Sequence, residues 1–291
     1  MNKIIISMVL ALCFNSQGYS DAVIPIGDFS KKLQKAAGEQ GKFVGGKDNF
    51  PKSYFLIHQN LPYLAGLSLH HPKSSTLGLS QNQIKMIEDV KKRTVPLVVK
   101  KAQEIKKLEL KLANNIAIDS NSAQSQYDLV TKISKLRTEL TKAHLQCIND
   151  IRAILTKEQY KKLLAYATKL AVKPKSNKFR IDELVLLPHP AKYIKMGQIK
   201  ASKEQKMLIS KDVKKKLAPI FQDKIREAYT LEKKVQRMVS KGESKESVKP
   251  LLDQIMKLKR EAIDTRIDAL YKIKNILTKE QWNKVNKLTY K

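Results

Sequence analysis

The chain has 291 residues, and 57 lysines and arginines against 27 aspartates and glutamates give it a formal net charge of +30 at pH 7. Aromatic residues make up 6%, and glycine and proline are scarce at 10 each, a balance that favours long helices and argues against sheets. A charge this far from zero bears on partners rather than on fold, and it points to nucleic acid, an anionic membrane or acidic protein segments.

The first residues predict export. Lys3 precedes an apolar run of 11 residues, 4–14, and small and polar residues follow up to Ser20 and Ala22. This pattern is typical of a secretory signal over residues 1–20, with a membrane anchor as the alternative interpretation. The run is shorter than a bilayer-spanning helix requires. We therefore expect an exported protein without stable membrane insertion, for which nucleic acid is not a natural partner.

Neither cysteine predicts a disulfide within the chain. Cys13 lies in the predicted signal and suggests a lipoprotein site, but the preceding Leu12 is bulkier than such sites usually accept. Cleavage of the signal leaves Cys147 alone, so it can pair only with another chain. Because Cys147 falls on an apolar helical stripe, we interpret it as a buried, inert thiol rather than as a link between chains.

The rest of the chain divides into an arm, two blocks and a linker. Glycines and prolines interrupt residues 21–78, which predicts an irregular arm with one short helix near Leu33. Residues 79–170 form the first block, residues 171–200 a linker, and residues 201–291 the second block. Similar Pro-containing segments precede the two blocks, at residues 61–64 and 187–190. Whether they belong to the repeat stays open at this point.

Each block predicts two long helices. In the second of them, apolar residues step by three or four positions over residues 129–154 and again over 251–276, which is one apolar helix face. The first helix contains Pro96 in one block and Pro219 in the other, where we expect a kink or a break. No alternation of apolar and polar residues indicates a strand, so the predicted fold class is all-α.

A five-residue pattern, Leu-Thr-Lys-Glu-Gln, occurs at residues 155–159 and again at 277–281. Weaker copies lie at 79–83 and 201–205, and each pair of glutamines is 76 positions apart. Such regularity indicates two copies of one structural unit. A Thr or Ser with Gln three residues later predicts a capping box at a helix start. The predicted helix-capping residues are Ser80, Gln83, Leu155, Thr156, Gln159, Ser202, Gln205, Leu277, Thr278 and Gln281.

The strong copies of the motif predict a sharp bend. At Thr156 and Thr278 the capping box begins a helix almost where the preceding long helix ends. Leu155 before the cap and Tyr160 after the Gln have the spacing of a hydrophobic staple. Each cap contributes about 1 kcal/mol, so we expect the motif to determine geometry rather than chemistry.

Paired Leu-Thr-x-x-Gln motifs within one helical unit resemble those of the periplasmic Spy/CpxP family, and residues 133–160, with Cys147 before the second motif, resemble one subgroup of it. The resemblance covers both blocks. With the predicted signal, it implies an all-α protein of the periplasm that acts as an ATP-independent chaperone or modulates a stress response. Thin, cradle-shaped antiparallel dimers are among the best known members of the family. This chain departs from the pattern, with Ser for Thr in the first motif of each unit and Ala269 in place of the Cys.

Because both units lie in one polypeptide, we expect two tandem helical hairpin units that pair as an intramolecular pseudo-dimer and form a thin curved cradle. A monomeric pseudo-dimer and a homodimer both remain open.

The favoured hypothesis is a holding chaperone that needs no cofactor. Many lysines would attract unfolded or acidic clients through long-range fields, and exposed apolar side chains would hold them weakly. The alternative for any single basic cluster is a solvated helix face. The candidate client-binding residues are Lys91, Lys92, Arg93, Lys106, Lys107, Lys214, Lys215, Lys216, Lys257, Lys259 and Arg260.

A structural or membrane-surface role is one alternative, because basic amphipathic helices can lie on anionic lipid, although helix pairing accounts better for the apolar stripes. Three further alternatives are a modulator, a metal-binding protein and an enzyme. The resemblance implies a possible modulator or sensor of an envelope-stress or metal-stress two-component system, with a histidine kinase sensor domain as partner. Metal binding has little support, because the adjacent His70 and His71 lack ligand spacing. The sequence has no nucleophile elbow, phosphate-binding loop or zinc-protease motif, so we expect no enzyme. We interpret four acids as helix-surface charges, namely Glu109, Glu139, Glu232 and Glu261.

Overall fold

The computed structural model describes residues 55–57, 61–118, 122–170 and 187–289. Every regular element within these ranges is helical and none is a strand, which confirms the all-α prediction. None of the described helices is long and apolar enough to cross a membrane. The predicted signal, Cys13 and the predicted short helix near Leu33 lie outside the described residues.

Unit 1 begins earlier than the first block of the sequence. Helix α1 leads through a 3₁₀ turn to the long helix α2, a second 3₁₀ turn leads to α3, and α4 follows the bend. The last part of the predicted irregular arm is thus regular structure. The bounds are α1 Leu64–His70, first turn Ser74–Leu77, α2 Gln81–Ile118, second turn Ala123–Gln126, α3 Tyr127–Ile154 and α4 Lys157–Leu170.

Unit 2 repeats this order and begins inside the predicted linker. A short π-helical segment interrupts its first long helix, which is therefore divided into α6 and α7. The bounds are α5 Pro190–Lys195, α6 Lys203–Ile209, π segment Ser210–Lys214, α7 Leu217–Lys241, α8 Lys245–Ile276 and α9 Lys279–Thr289.

The Pro-containing segments before α1 and α5 belong to the repeat. The Pro62 carbonyl accepts a hydrogen bond from His144 Nε2 at 3.1 Å. The Pro188 carbonyl accepts one from an Arg266 guanidinium nitrogen at 2.7 Å. His144 and Arg266 occupy the same position of α3 and α8, so each short N-terminal helix is joined to its long helix in the same way.

The two prolines of the first long helices have different surroundings. Helix α2 runs through Pro96 without the predicted break. Pro96 is exposed, so water can reach the carbonyl that loses its backbone donor there. Pro219 is the third residue of α7 and follows the π segment. A proline in the first helical turn removes a donor that would have no intrahelical partner.

The π segment takes up one extra residue in unit 2. Gln205 follows Gln83 by 122 positions (205 minus 83), whereas Pro219 follows Pro96 by 123 (219 minus 96). The additional residue therefore lies between Gln205 and Pro219, where Ser210–Lys214 forms the π turn. A π bulge absorbs an inserted residue while the flanking helix keeps its buried face.

An ion pair is buried between the two long helices of each unit. Glu109 of α2 pairs with Arg137 of α3, and Glu232 of α7 pairs with Lys259 of α8; these four side chains are 3–8% exposed. The interpretation of Glu109 and Glu232 as surface charges is therefore wrong, as is the choice of Lys259 as a client-binding candidate. The facing helix supplies each partner, and a pattern along one helix does not reveal it.

Glu139 and Glu261 do lie near the surface. They form outer ion pairs with Lys101 and Lys224, again at equivalent positions of the two units. Lys101 precedes Glu109 on α2, whereas its partner Glu139 follows Arg137 on α3, so the two helices run antiparallel. The pairs of α7 and α8 have the same order.

Each of the two hydrophobic cores draws on both units. One core combines Leu112 and Val130, near the turn between α2 and α3, with Leu270 and Trp282, near the bend of unit 2. The other combines Leu163 and further residues near the bend of unit 1 with Val235, Val239 and Leu252, near the turn between α7 and α8. The turn end of each unit thus packs against the bend of the other.

Polar contacts join these ends in both directions. Trp282 Nε1 donates to the Ala117 carbonyl at 3.0 Å, and Lys274 Nζ donates to the Ile116 carbonyl at 3.1 Å. In the opposite direction, the Tyr160 hydroxyl donates to the Val239 carbonyl at 3.3 Å. Tyr160 and Trp282 are equivalent residues that follow the two strong motifs, so the same position contacts the opposite unit in each case.

The segment 55–57 lies between the two units at the middle of the molecule. Phe55, Leu56 and Ile57 are at most 2% exposed, with Phe55 in one core and the other two in the second. The Leu56 N–H donates to Thr141 Oγ1 of α3 at 2.8 Å, and its carbonyl accepts from Lys259 of α8. This part of the predicted arm is therefore part of the core.

Candidate client-binding groove

All four predicted capping boxes have their hydrogen bonds. In each, the glutamine backbone N–H donates to the cap hydroxyl and the glutamine Oε1 accepts from the cap N–H, over distances of 2.8–3.2 Å. These bonds begin α2, α4, α6 and α9. The caps place the start of each first helix and the start of each helix after the bend.

The glutamines also bond to one another, which the sequence analysis missed. Gln83 Nε2 donates to Gln159 Oε1 at 2.8 Å, and Gln159 Nε2 donates back to Gln83 Oε1 at 3.2 Å. Gln205 and Gln281 form the same reciprocal pair at 2.9 and 3.1 Å. The identical separation of 76 positions was the available signal, but spacing alone does not show that two distant helix starts meet.

Each amide pair also holds backbone carbonyls. Gln83 Nε2 donates to the Ile154 carbonyl at 3.0 Å, and Gln159 Nε2 donates to the Gly78 carbonyl at 3.1 Å. Unit 2 has equivalent bonds from its own pair to Ile276 and Lys200. The paired motifs therefore join the start of the first long helix to the end of the second and fix the bend.

An open groove of about 360 Å³ lies beside the bend of unit 1, between α2 and α3. Its apolar floor includes Val90, which is 5% exposed. Ile154, whose carbonyl accepts a hydrogen bond from Gln83, also lines it. The lining residues are Met86, Asp89, Val90, Arg93, Asp150, Ala153 and Ile154.

Exposed apolar side chains extend the floor along α2. Met86 and Leu97 are each 45% exposed. Met86, Val90, Arg93 and Leu97 are spaced three or four residues apart, so they follow one edge of the helix. Along this edge an exposed apolar side chain, a cation and a second exposed apolar side chain follow one another.

One residue of the basic cluster of α2, Arg93, lines this groove. Arg93 contacts Asp150 at 2.6 Å while staying 68% exposed, so the guanidinium is accessible. Lys92 is 71% exposed and is 3.7 Å from Asp89. Lys91 is half-buried beside His70 at 3.3 Å, and burial is the main reason that its pKa is lowered. Arg93 and Lys92 are thus the better placed of the three predicted residues.

The other predicted client-binding residues do not share this groove. Lys106 is half-buried and Lys107 is exposed further along α2, and Lys214, Lys215 and Lys216 are exposed on unit 2. Lys257 is exposed on α8, and Arg260 is half-buried in an ion pair with Asp264 at 2.8 Å. The structure therefore distributes the predicted residues over several faces instead of bringing them together.

Cys147 lies near the groove as a thiol of low reactivity. The residue is half-buried, and burial, helped by the nearby Asp150, raises its pKa to about 11. The thiolate is the nucleophilic form, so the side chain is largely unreactive at neutral pH. Among the described residues, no group of three His, Cys, Asp or Glu side chains is placed to hold a metal ion.

The equivalent position of unit 2 is more polar and more cationic. Asp212 lies in place of Asp89, Lys216 in place of Arg93, and Lys272 in place of Asp150. The apolar Ala153 is replaced by Asn275. The two units thus share a scaffold but present different surfaces.

Comparisons of the chain with protein-family models, with curated proteins and with solved structures found no match.

Proposed function

We propose that this protein is an ATP-independent holding chaperone of the periplasm, similar to the Spy/CpxP family, which binds acidic, partly unfolded clients through the groove of unit 1. The observation that carries the proposal is an apolar floor bordered by accessible cations. Val90 forms the floor, Met86 and Leu97 are exposed beside it, and Arg93 lies between them. Lys92 is the residue next to Arg93 in the chain and is exposed.

The size of the groove supports weak, reversible binding. A volume of about 360 Å³ is at the small end of ligand-binding pockets and accommodates only one or two apolar side chains. Burial of one such side chain contributes about 2 kcal/mol, which is too little for a stable complex without further contacts. In the proposal, the net charge of +30 supplies the rest by drawing acidic chains toward the surface.

The proposed architecture is the thin curved layer expected from the family resemblance, with the two units as the halves of a pseudo-dimer. The predicted signal supports a periplasmic location. The resemblance implies that ATP is not needed, and the sequence has no phosphate-binding glycine loop.

The test compares two matched double variants in an aggregation assay with an acidic, chemically unfolded client. M86Q/L97Q removes the exposed apolar side chains beside the groove. M207Q/I220Q removes two apolar side chains of unit 2 that are at least as exposed, at 62% and 48% against 45% for Met86 and Leu97, and serves as control. We expect M86Q/L97Q to lose most of the suppression of aggregation and M207Q/I220Q to retain it.

Salt provides a second readout. Suppression of aggregation by the unaltered protein should weaken over a few hundred millimolar salt, since the screening length falls well below 10 Å. Equal loss in both double variants would reject the groove as the client site. Undiminished suppression at high salt would reject the electrostatic part of the proposal. Capture of one acidic kinase sensor domain, with no effect on unfolded clients, would favour the modulator function instead.

A further inference from the structure

The outer faces of the two units differ strongly in charge although they are copies of one structure. Residues 81–93 of unit 1 with Asp150 carry four cations and three acids, a formal charge of +1. The equivalent residues of unit 2, 203–216 with Lys272, carry seven cations and two acids, a formal charge of +5. We call the latter the lysine face. Its cations are Lys203, Lys206, Lys211, Lys214, Lys215, Lys216 and Lys272.

These lysines are exposed, and three of them lie around one carboxylate. All seven are exposed to solvent. Asp212 pairs with Lys216 at 2.9 Å. Its pKa is lowered, first by the hydrogen bond from Lys216 and then by the charges of Lys216, Lys211 and Lys272, which places lysines of the first long helix and of α8 around one carboxylate. Lys272 stands where unit 1 has the acid that neutralises Arg93.

The backbone of the lysine face is also specific to unit 2. The π segment Ser210–Lys214 contains Lys211, Asp212 and Lys214, and unit 1 has an unbroken α-helix at this place. Met207, 62% exposed, lies one turn before Lys211. A wide helical turn with an apolar tip among lysines has the chemistry of a surface that meets lipid headgroups.

We propose that the lysine face docks on a membrane surface rich in anionic phospholipid, with its lysines against the headgroup phosphates and Met207 among the headgroups. This partner is separate from the clients of the unit 1 groove. Each lysine near an anionic bilayer strengthens binding roughly fivefold, so a net charge of +5 over residues 203–216 and Lys272 is enough for peripheral binding without insertion. The net charge of +1 at the equivalent residues of unit 1 is too small for such binding.

The experiment measures co-sedimentation of the full-length chain with vesicles of mixed phosphatidylcholine and phosphatidylglycerol and with vesicles of phosphatidylcholine alone. K211E/K215E lowers the lysine face from +5 to +1, and K85E/K92E makes the same change of total charge on α2 of unit 1. All four lysines are exposed, so the fold should be retained, which circular dichroism verifies. Both variants keep the apolar N-terminal segment, so its contribution cancels.

We expect K211E/K215E to lose at least about tenfold in binding to the mixed vesicles, and K85E/K92E to change about twofold or less. Neutral vesicles should bind the unaltered chain much more weakly than mixed ones. Equal losses in the two variants would show that total charge alone matters and would overturn the proposal. Unchanged vesicle binding by K211E/K215E would also overturn it. This holds as well if the variant loses only the suppression of client aggregation.

Discussion

At the scale of single residues, the motif glutamines have two separate tasks. The Oε1 atoms of Gln159 and Gln83 complete the capping boxes, whereas their Nε2 atoms join the two helix starts and the carbonyls of Ile154 and Gly78. Glutamate can perform the first task but has no donor for the second. This difference separates local capping from the long-range connection.

We predict that Gln159→Glu destabilises the protein by about 1–3 kcal/mol, although glutamate is a good capping-box residue. The new carboxylate faces the Gly78 carbonyl, to which the lost amide donated. Urea unfolding followed by circular dichroism measures the change. Thr156→Ser is the matched control, because it keeps the cap hydroxyl and should cost well under 1 kcal/mol. Equal stability of Gln159→Glu and the unaltered protein would show that the amide pair contributes nothing.

The residue scale also shows where sequence reasoning succeeds. Capping boxes follow from local chemistry over four residues, and all four have their hydrogen bonds. The hydrogen bond between Gln83 and Gln159 joins residues 76 positions apart. The ion pair between Lys259 and Glu232 forms only because particular faces of α7 and α8 pack together. Such contacts arise from tertiary packing, and no local rule contains them.

At the scale of helices, the inner and outer ion pairs offer a comparison at matched positions. The Glu109–Arg137 pair is 3–5% exposed, whereas Glu139 of the Lys101–Glu139 pair is 53% exposed. Burial raises the pKa of Glu109, an effect that Arg137 opposes by its charge and hydrogen bond. Removal of one partner should therefore lower the free energy of unfolding more at the buried pair than at the outer pair.

We predict that Arg137→Met destabilises the protein by about 3–5 kcal/mol at pH 7, because it leaves a buried carboxylate without its cation. Lys101→Met should cost less than about 1 kcal/mol. In Arg137→Met the pKa of Glu109 rises further above its unfolded value, so its contribution favours the folded state at acid pH and is lost as pH rises through the folded pKa. The loss of stability of Arg137→Met relative to the unaltered protein should hence become smaller at acid pH. Denaturant unfolding at several pH values measures this loss.

A double variant distinguishes charge from shape. Glu109→Gln with Arg137→Met removes both charges and should recover much of the lost stability, since the unpaired buried charge is gone. A double variant no more stable than Arg137→Met would show that packing around the guanidinium, rather than its charge, is what matters.

At the scale of helices, the sequence predicts the long helices well but does not predict the π segment. The apolar stripes of α3 and α8 are periodic over their whole length, so their existence follows from the pattern. The π segment does not, because one inserted residue between Gln205 and Pro219 has many local solutions. Pro96 was expected to bend or break α2, yet its exposed position lets the helix continue.

At the scale of the whole molecule, neither unit contains a complete core. Leu112 and Val130 of unit 1 pack with Trp282 and Leu270 of unit 2, and Leu163 of unit 1 packs in the other core with Val235 of unit 2. Apolar surface buried between the units would be exposed in either unit alone. The segment 55–57 adds to both cores.

We predict that fragments 1–180 and 181–291, made separately, lack cooperative thermal unfolding, and that mixing them restores helicity and a cooperative transition. Circular dichroism of each fragment and of the mixture measures this. A fragment that unfolds cooperatively by itself, with the melting temperature of the full chain, would show that its unit is an independent domain. The intact chain, with the same sequences joined, is the reference.

Symmetry between halves has a further consequence when both halves share one polypeptide. In an assembly of two identical chains, any substitution that adapts one flank to a ligand alters the opposite flank as well. Here Asp150 and Lys272 occupy matching places and differ in sign, which identical chains could never achieve. With both copies in one chain, one flank can keep its apolar character while the other carries more positive charge.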